Sequence, residues 1–185
     1  MDDSSTMVDV PTPDKYNAVT QAFHWLTAAL VIAAFVLGPE DLDDMENPGL
    51  DLGFQTHASL GMIVLILTAF RLLWVYFSQP EVVVRISSAM AFGAKLVQGV
   101  LYLLLFAVPL TALLGIWLEG DALMLLRNVA IVSPLPLKEA AGEALLDLHP
   151  VLANTLMWLA GAHALAALCH HYVMKDAVLR SMLPK

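Results

Sequence analysis

Four long stretches of this sequence contain no Asp, Glu, Lys or Arg. They are Tyr16–Pro39, Leu52–Phe70, Leu96–Leu118 and Leu148–Met174, the second of which continues past Arg71 through Leu72–Phe77. A helix needs about 20 largely apolar residues to cross roughly 30 Å of hydrocarbon. Because only helices and closed barrels satisfy their backbone in lipid, runs this long are helical. The pattern predicts an all-α, transmembrane four-helix bundle.

The composition agrees with lipid as the solvent. Hydrophobic residues make up 59% of the 185 residues and charged residues only 14%, whereas a soluble domain has about 45–50% and about 25%. The chain has one cysteine, Cys169, which excludes a disulfide framework, and no CxxCH motif for covalent haem attachment is present. Cys169 is interpreted as a small packing residue, and a nucleic-acid partner is not expected.

The segments between the stretches add further predictions. Residues 1–14 are acidic and contain proline, and they lack the basic start of a signal peptide. They are predicted to be a disordered tail before a membrane domain over residues 15–185. Pro109 should kink the third helix. The connection Glu119–Asp147 should include an interfacial helix over Lys138–Leu148.

The basic residues predict the orientation of the bundle. Four spans place both termini on one side, and that side holds seven of the nine basic residues: Lys15, Arg71, Arg85, Lys95, Lys175, Arg180 and Lys185. The other side holds Arg127 and Lys138. By the positive-inside rule both termini are cytoplasmic. The outer side carries eleven of the seventeen acidic residues, so the outer face should be strongly acidic.

All six histidines fall within the predicted spans or at their ends. They are His24, His57, His149, His163, His170 and His171. Polar residues at membrane depth are costly and usually have a function. A single histidine would most often make a structural hydrogen bond, but six with none elsewhere indicate a shared role.

The depths of four histidines form two levels. His149 and His163 are 14 residues apart, which is about 21 Å along a helix and within about 40° of a whole number of turns. They therefore share one face of the fourth helix. His57 can meet His149 near the outer surface, and His24 can meet His163 near the inner one.

Two imidazole pairs from facing helices suit two haems with bis-histidine ligation. A zinc or copper ion would also accept imidazole, but its ligands would cluster at one depth. Geometry alone does not choose between His163 and His170, which lies on the same face about 10 Å nearer the cytoplasm. His171 points elsewhere, and the roles of His170 and His171 stay open.

Arg71 follows His57 by 14 residues and should lie at the level of the inner pair. Its guanidinium could pair with haem propionates there, or it could be an interfacial arginine that extends to water. Each proposed ligand also has a small residue four positions later, at Ala28, Gly61, Ala153 and Ala167. A flat macrocycle needs such room, although membrane helices are rich in small residues for packing as well.

Several short motifs resemble the bacterial cytochrome b561 family over nearly the whole chain. They are Lys15-Tyr16-Asn17 with Phe23-His24-Trp25, Thr56-His57-Ala58 with Arg71-Leu72-Leu73-Trp74, Gly161-Ala162-His163-Ala164, the run His170–Asp176 and the final Met182-Leu183-Pro184. The resemblance implies a bundle with two b haems that exchanges electrons with ubiquinone in the inner membrane. By resemblance the ligands are His24 with His163 and His57 with His149.

The sequence departs from that family pattern in two ways. Pro150 directly follows His149, and since proline disfavours helix at the preceding residue, His149 is predicted at the very start of helix four or at a kink. The acidic outer face is the second departure. Some family members are thought to oxidise superoxide there, and an acidic face should repel that anion and attract a basic protein.

Three functions are therefore open. The first is a di-haem electron carrier of the respiratory chain, linking ubiquinone to a periplasmic-side partner that is a basic redox protein or superoxide. Whether it is also an enzyme, as a quinone-linked oxidoreductase of the superoxide oxidase type, is left open. The second is the membrane-anchor cytochrome b subunit of a periplasmic dehydrogenase or hydrogenase. The third is a histidine-lined metal or proton transporter.

Overall fold

The computed structural model describes residues 15–39, 51–78 and 87–184. The predicted disordered tail lies outside those ranges. The acidic connection between the first two spans also lies outside them, apart from its first and last residues. All structural statements below concern the described residues.

Four long helices dominate the described chain. They are α1 (Ala18–Val36), α2 (Leu52–Ser78), α3 (Ser88–Leu118) and α4 (Glu139–Cys169), and α4 continues through a π-helical turn, His170–Met174. A short helix, α5 (Val178–Met182), ends the chain, and a hairpin of β1 (Leu123–Leu125) and β2 (Val129–Ile131) joins α3 to α4. The four long helices are each long and apolar enough to cross a membrane. The predicted transmembrane four-helix bundle is confirmed.

Side-chain caps define where two of the helices begin. The Asn17 side chain accepts a hydrogen bond from the Thr20 N–H at the start of α1, at 2.9 Å. Ser87 does the same for Met90 at the start of α3, at 3.3 Å. Such caps satisfy N–H groups that have no partner within the helix. The cap at Ser87 starts α3 eight residues before the predicted Leu96, and Pro109 lies inside the helix as expected.

Helix α4 corrects two predictions. Lys138–Leu148 is not a separate interfacial helix, because a single helix runs from Glu139 onwards. His149 consequently lies ten residues inside α4, and the predicted start of helix four is wrong. Pro150 lies inside α4, where a proline removes one backbone donor and favours a kink, the other position predicted for His149. The turns before it are held by packing against the end of α3, where Gly115 and Gly142 bring the two backbones together.

The bundle is held by two apolar clusters. Val64, Leu104, Leu105 and Leu156 pack where α2, α3 and α4 meet. Ala58, Leu113 and Leu123 pack α2 and α3 against the hairpin. The most closely packed helix pairs are α3 with α4, α1 with α2, and α2 with α3. The chain order therefore gives a bundle in which α4 is anchored mainly through α3.

The two ends of the described chain are tied together. The Gln21 side-chain amide donates to the carbonyls of Ser181 and Leu183, both at 3.2 Å. The Trp25 indole donates to Met182 O at 2.8 Å, and Tyr16 N donates to Ser181 O at 3.1 Å. We call this the terminal end of the bundle and the opposite one the hairpin end. Both ends of the described chain lie on one side of the bundle, as four spans require.

Helix α4 is longer than a bilayer is thick. With its π-helical turn it contains 36 residues, which is about 54 Å at 1.5 Å per residue, against about 30 Å of hydrocarbon. Glu139, Glu143 and Asp147 follow one another at four-residue spacing on its first turns. These acidic turns therefore extend beyond the membrane at the hairpin end.

Candidate haem sites

The structure brings His57 of α2 and His149 of α4 together near the hairpin end. Their ring centroids are 6.0 Å apart and the ring planes are at 87°. Two imidazoles bound at about 2.0 Å to opposite sides of one metal ion have centroids roughly 6 Å apart. The spacing between these two rings is therefore that of a bis-histidine pair.

Both rings are oriented by backbone carbonyls. His57 Nδ1 donates to Ala34 O and His149 Nδ1 donates to Val108 O, each at 2.8 Å. Since a carbonyl oxygen only accepts, Nδ1 carries the hydrogen in both rings and Nε2 carries the free lone pair. Histidines that ligate metals usually donate their other ring nitrogen in this way. Nε2 of each ring is thus free to bind a metal ion.

The second group of predicted residues lies nearer the terminal end. Arg71 Nη2 donates to His24 Nδ1 at 3.3 Å. His163 is close enough to interact electrostatically with both residues. His24 and His163 therefore share a level of the bundle, and Arg71 lies at that level, as its spacing from His57 predicted.

The guanidinium of Arg71 contacts His24 and Tyr102, and a third part of it has no partner among the described residues. Its Cζ lies 5.2 Å from the centroid of the Tyr102 ring, which is a cation–π contact. Its Nε is buried and has no hydrogen-bond partner among the described residues. A buried donor without a partner is costly, so an anionic group beside Arg71 would stabilise it. A haem propionate is such a group.

These residues fit b-type haem. The paired histidines come from α1 or α2 on one side and from α4 on the other, and these pairings are not among the most closely packed ones. A Cβ added to Gly61, one turn after His57, would meet no atom within 4 Å, so space is open beside that histidine. At the terminal end the fit requires one change. His24 Nδ1 accepts from Arg71, so ligation through Nε2 requires the guanidinium to turn away.

Sequence reasoning did not find Tyr102 or the carbonyls of Ala34 and Val108. Tyr102 lies on α3, and no spacing rule relates a residue on one helix to the partner it meets on another. Backbone carbonyls carry no residue-type signal at all. The polar hydroxyl of Tyr102 in a largely apolar run was the available indication.

His170 has a partner of its own in the turn that follows α4. Its Nδ1 lies 2.5 Å from Asp176 Oδ2. Asp176 Oδ1 accepts from Val178 N at 3.0 Å, and Arg180 Nη2 donates to Asp176 O at 3.1 Å. Lys175 between them has a left-handed backbone, with φ of 57°. His170 therefore has a structural role in ordering the C-terminal turn.

The neighbouring His171 has different surroundings. Its ring lies 4.8 Å from that of Tyr172, nearly perpendicular to it. Its Nδ1 is buried and has no hydrogen-bond partner among the described residues. The two adjacent histidines thus have different surroundings, as expected from the different faces of the helix on which they lie.

Asp176 should make the C-terminal turn sensitive to acid. Its slight burial favours the neutral form, but the hydrogen bonds from His170 and Val178, with the charges of His170 and Arg180, lower its pKa overall from the usual 3.8. A lowered pKa stabilises the fold above the unfolded value, and that stabilisation is lost as pH falls through the folded pKa. The turn should hold at neutral pH and loosen only below about pH 4.

Replacing this carboxylate tests the contact directly. In Asp176→Asn, amide hydrogen exchange over residues 176–184 at pH 7 should be about five- to tenfold faster, because a partly exposed charged hydrogen bond contributes about 1 kcal/mol. Asp147→Asn, at an exposed acid of the other end, is the matched control. Equal exchange in the two variants would contradict the structural role of Asp176.

The hairpin end carries a cluster of like charges. Partial burial, then the neighbouring Asp121, Glu143 and Glu139, raise the pKa of Glu119 above its usual value. Together with Asp147 these residues make the described part of this face acidic. The face thus has a negative potential that acts on whatever approaches it.

A bundle of four membrane-spanning helices with histidines paired between facing helices defines a membrane-bound b-type cytochrome. Comparison with known proteins gives the family. The family model of prokaryotic cytochrome b561 matches residues 15–185, and the chain belongs to that family. Its members carry out electron transfer in the membrane with b-type haem, and the four spans fit a protein of the bacterial inner membrane.

Three relatives show how far the similarity extends. The chain is similar to cytochrome b561 homolog 2 of Escherichia coli (strain K12), with 30% identity over 176 residues and 94% of each chain covered. It is similar to a probable superoxide oxidase of Yersinia pestis, with 31% identity, covering 92% of this chain and 97% of the relative. It is also similar to cytochrome b562 of Cereibacter sphaeroides, with 30% identity, covering 91% and 94%.

Proposed function

We propose that the chain is a di-haem b-type cytochrome that transfers electrons across the inner membrane between ubiquinone and a redox partner on the periplasmic side. Its iron ligands are His57 with His149 at the hairpin end and His24 with His163 nearer the terminal end. The observation that carries the proposal is the 6.0 Å pairing of His57 and His149. The second pair lies about 21 Å away along α4.

Each residue of the proposed sites has a definite task. Haem supplies reversible one-electron chemistry when bound. The carbonyls of Ala34 and Val108 hold two imidazoles in the tautomer that leaves Nε2 free. Arg71 binds an anionic propionate, and Tyr102 holds the guanidinium at the right level. Two haems stacked in depth would connect the two faces of the membrane.

The orientation follows from charge. The terminal end carries most of the basic residues, so the positive-inside rule places both termini in the cytoplasm. The acidic hairpin end then faces the periplasm. This face would repel the superoxide anion and attract a basic protein. The Yersinia pestis relative is named a probable superoxide oxidase, so superoxide remains the competing partner for this chain.

The acidic turns of α4 also support a second candidate function, a membrane-anchor subunit for a periplasmic dehydrogenase or hydrogenase. They extend beyond the membrane with Glu139, Glu143 and Asp147 along them, where a soluble partner can reach them. The third alternative, a histidine-lined metal or proton transporter, has less support where the cargo is a metal. Within the described ranges, no three His, Cys, Asp or Glu side chains gather in a way that could hold a metal ion.

Stopped-flow reduction of the purified haem-loaded protein tests the proposal and ranks the partners. Ubiquinol should reduce the haem, and a basic periplasmic redox protein should exchange electrons at a rate that falls about tenfold between 20 and 200 mM salt. Reduction by superoxide should instead accelerate with salt, because screening weakens the repulsion.

Charge variants provide the control for these salt effects. Glu139→Gln with Glu143→Gln should weaken both salt dependences and leave reduction by ubiquinol unchanged. A protein that contains no haem after expression with adequate haem supply would refute the di-haem proposal. A protein that ubiquinol reduces only in the presence of a co-purifying dehydrogenase would favour the anchor subunit.

A further inference from the structure

A polar side chain lies on the face of α4 that points away from the histidines. Asn154 follows His149 by five residues and precedes His163 by nine. At about 100° per residue it is turned by about 140° from the first and about 180° from the second. It is exposed. It lies about 7.5 Å along the axis from His149, and therefore between the two histidine levels. The buried residue of this stretch, Leu156, lies about 160° around the helix from Asn154, so Asn154 faces away from the other helices and toward lipid.

The amide of Asn154 is only partly satisfied by its own helix. Its Nδ2 donates to Pro150 O at 2.9 Å, which within the described part of the chain is the only hydrogen bond of this side chain. An asparagine amide has two donors and an oxygen with two lone pairs. In hydrocarbon no water can take the remaining positions, and asparagines at this depth typically bond across to another helix.

Asn154 belongs to a regular line of exposed residues. The line repeats at alternating intervals of three and four residues and consists of Val151, Asn154, Trp158, Gly161, Leu165 and Leu168, all of them exposed. Trp158 is 82% exposed and Leu165 68% exposed. This 3.5-residue repeat is that of a helix that packs along a second helix, and one asparagine in such a line fixes the register. We call this line the α4 seam.

We propose that the α4 seam is the interface of a parallel homodimer in which the Asn154 amides of two copies hydrogen-bond to each other. The membrane orients both copies alike, so a two-fold axis along the bilayer normal brings equal residues to equal depth. An amide is both donor and acceptor and is therefore complementary to itself. A partner helix with only apolar side chains would leave the remaining donor and acceptor groups of Asn154 without hydrogen bonds.

The shape of the α4 seam agrees with a second copy. A Cβ added to Gly161 would meet no atom within 4 Å, so an open position lies one turn from the protruding ring of Trp158. A glycine in a membrane helix lets a neighbour approach closely, and the partner's Trp158 can occupy that position. The interface lies opposite His149 and His163, so the dimer covers neither proposed haem site.

Dilution of the full-length protein in nanodiscs or mild detergent, followed by fluorescence energy transfer between labelled copies, tests the proposal. The wild type should form dimers, and Asn154→Leu should weaken association about tenfold. Asn154→Gln keeps donor and acceptor and should retain most of the association. Thr155→Val is the matched control, since Thr155 is the exposed next residue and bonds within its own helix to Val151 O at 2.8 Å.

Cross-linking locates the interface independently. In a Cys169→Ser background, Leu165→Cys on the α4 seam should give disulfide-linked dimers, and Ala166→Cys beside it should not. Helicity by circular dichroism and haem content should match the wild type in every variant, which separates this test from that of the haem sites. A monomer at all concentrations, equal cross-linking at both positions, or unchanged association in Asn154→Leu would overturn the proposal.

Discussion

Replacing His57 by alanine should halve the haem content of the purified protein, from about two per chain to about one. His57 lies 6.0 Å from His149, whereas His24 and His163 lie about 21 Å further along the bundle. The variant removes one proposed axial ligand and the Nδ1 bond to Ala34 O from one level only. Pyridine haemochrome absorbance against protein concentration gives the ratio, and the reduced spectrum should lose one component.

The reciprocal variant and a neighbouring control make this experiment decisive. His24→Ala should remove the other spectral component and leave the first. Thr56→Ala changes the residue beside His57, whose hydroxyl bonds to Leu52 O within its own helix at 2.7 Å, and should retain both haems. If His57→Ala and His24→Ala lose the same component, the two-level arrangement is wrong.

The membrane spans and the two histidine levels could be predicted because both depend on one-dimensional properties. Charge is excluded from hydrocarbon, so uncharged stretches mark the spans directly. Helical rise and rotation are fixed, so 14 residues between His149 and His163, or between His57 and Arg71, convert into a common face and a known depth. The structure places Arg71 beside His24 as this arithmetic indicated.

The start of α4 could not be predicted because it depends on contacts between distant residues. Pro150 and the polar residues before it favour a break when the segment is considered alone. The close approach of Gly142 to Gly115 keeps this segment against α3 and therefore helical. The hairpin of β1 and β2 is similar. Its turn has Arg127 and Asn128 at positive φ, and Leu126 N donates to Ser59 Oγ at 2.9 Å, a contact that no local pattern indicates.

Among the site residues, too, some contacts could be predicted from the sequence and others depend on how the helices pack. Resemblance favoured His163 over His170, and the structure pairs His170 with Asp176 instead. The two residues are only six positions apart in sequence, yet they meet because the π-helical turn and the left-handed Lys175 fold the chain back. The cation–π contact of Arg71 with Tyr102 joins α2 to α3. It depends on how these two helices pack, which no local sequence pattern indicates.

Adding a methyl group at Gly142 should destabilise the protein by about 1–3 kcal/mol, the usual cost of overpacking. A Cβ there would lie 2.6 Å from Glu119 Cγ, 2.9 Å from Gly115 O and 3.0 Å from Glu119 N. Two of these three atoms belong to the backbone and cannot move without separating α4 from α3. Thermal unfolding of Gly142→Ala in detergent should show a midpoint several degrees below that of the wild type.

A second glycine supplies the matched control. A Cβ at Gly99 of α3 would meet nothing within 4 Å, and alanine in a helix interior is more stable than glycine by about 0.5–1 kcal/mol. Gly99→Ala should therefore unfold at the same temperature as the wild type or higher. Because His149 lies two turns beyond Gly142, Gly142→Ala should also release haem from the hairpin-end site faster. Equal midpoints for the two variants would show that the contact between α3 and α4 does not hold the first turns of α4.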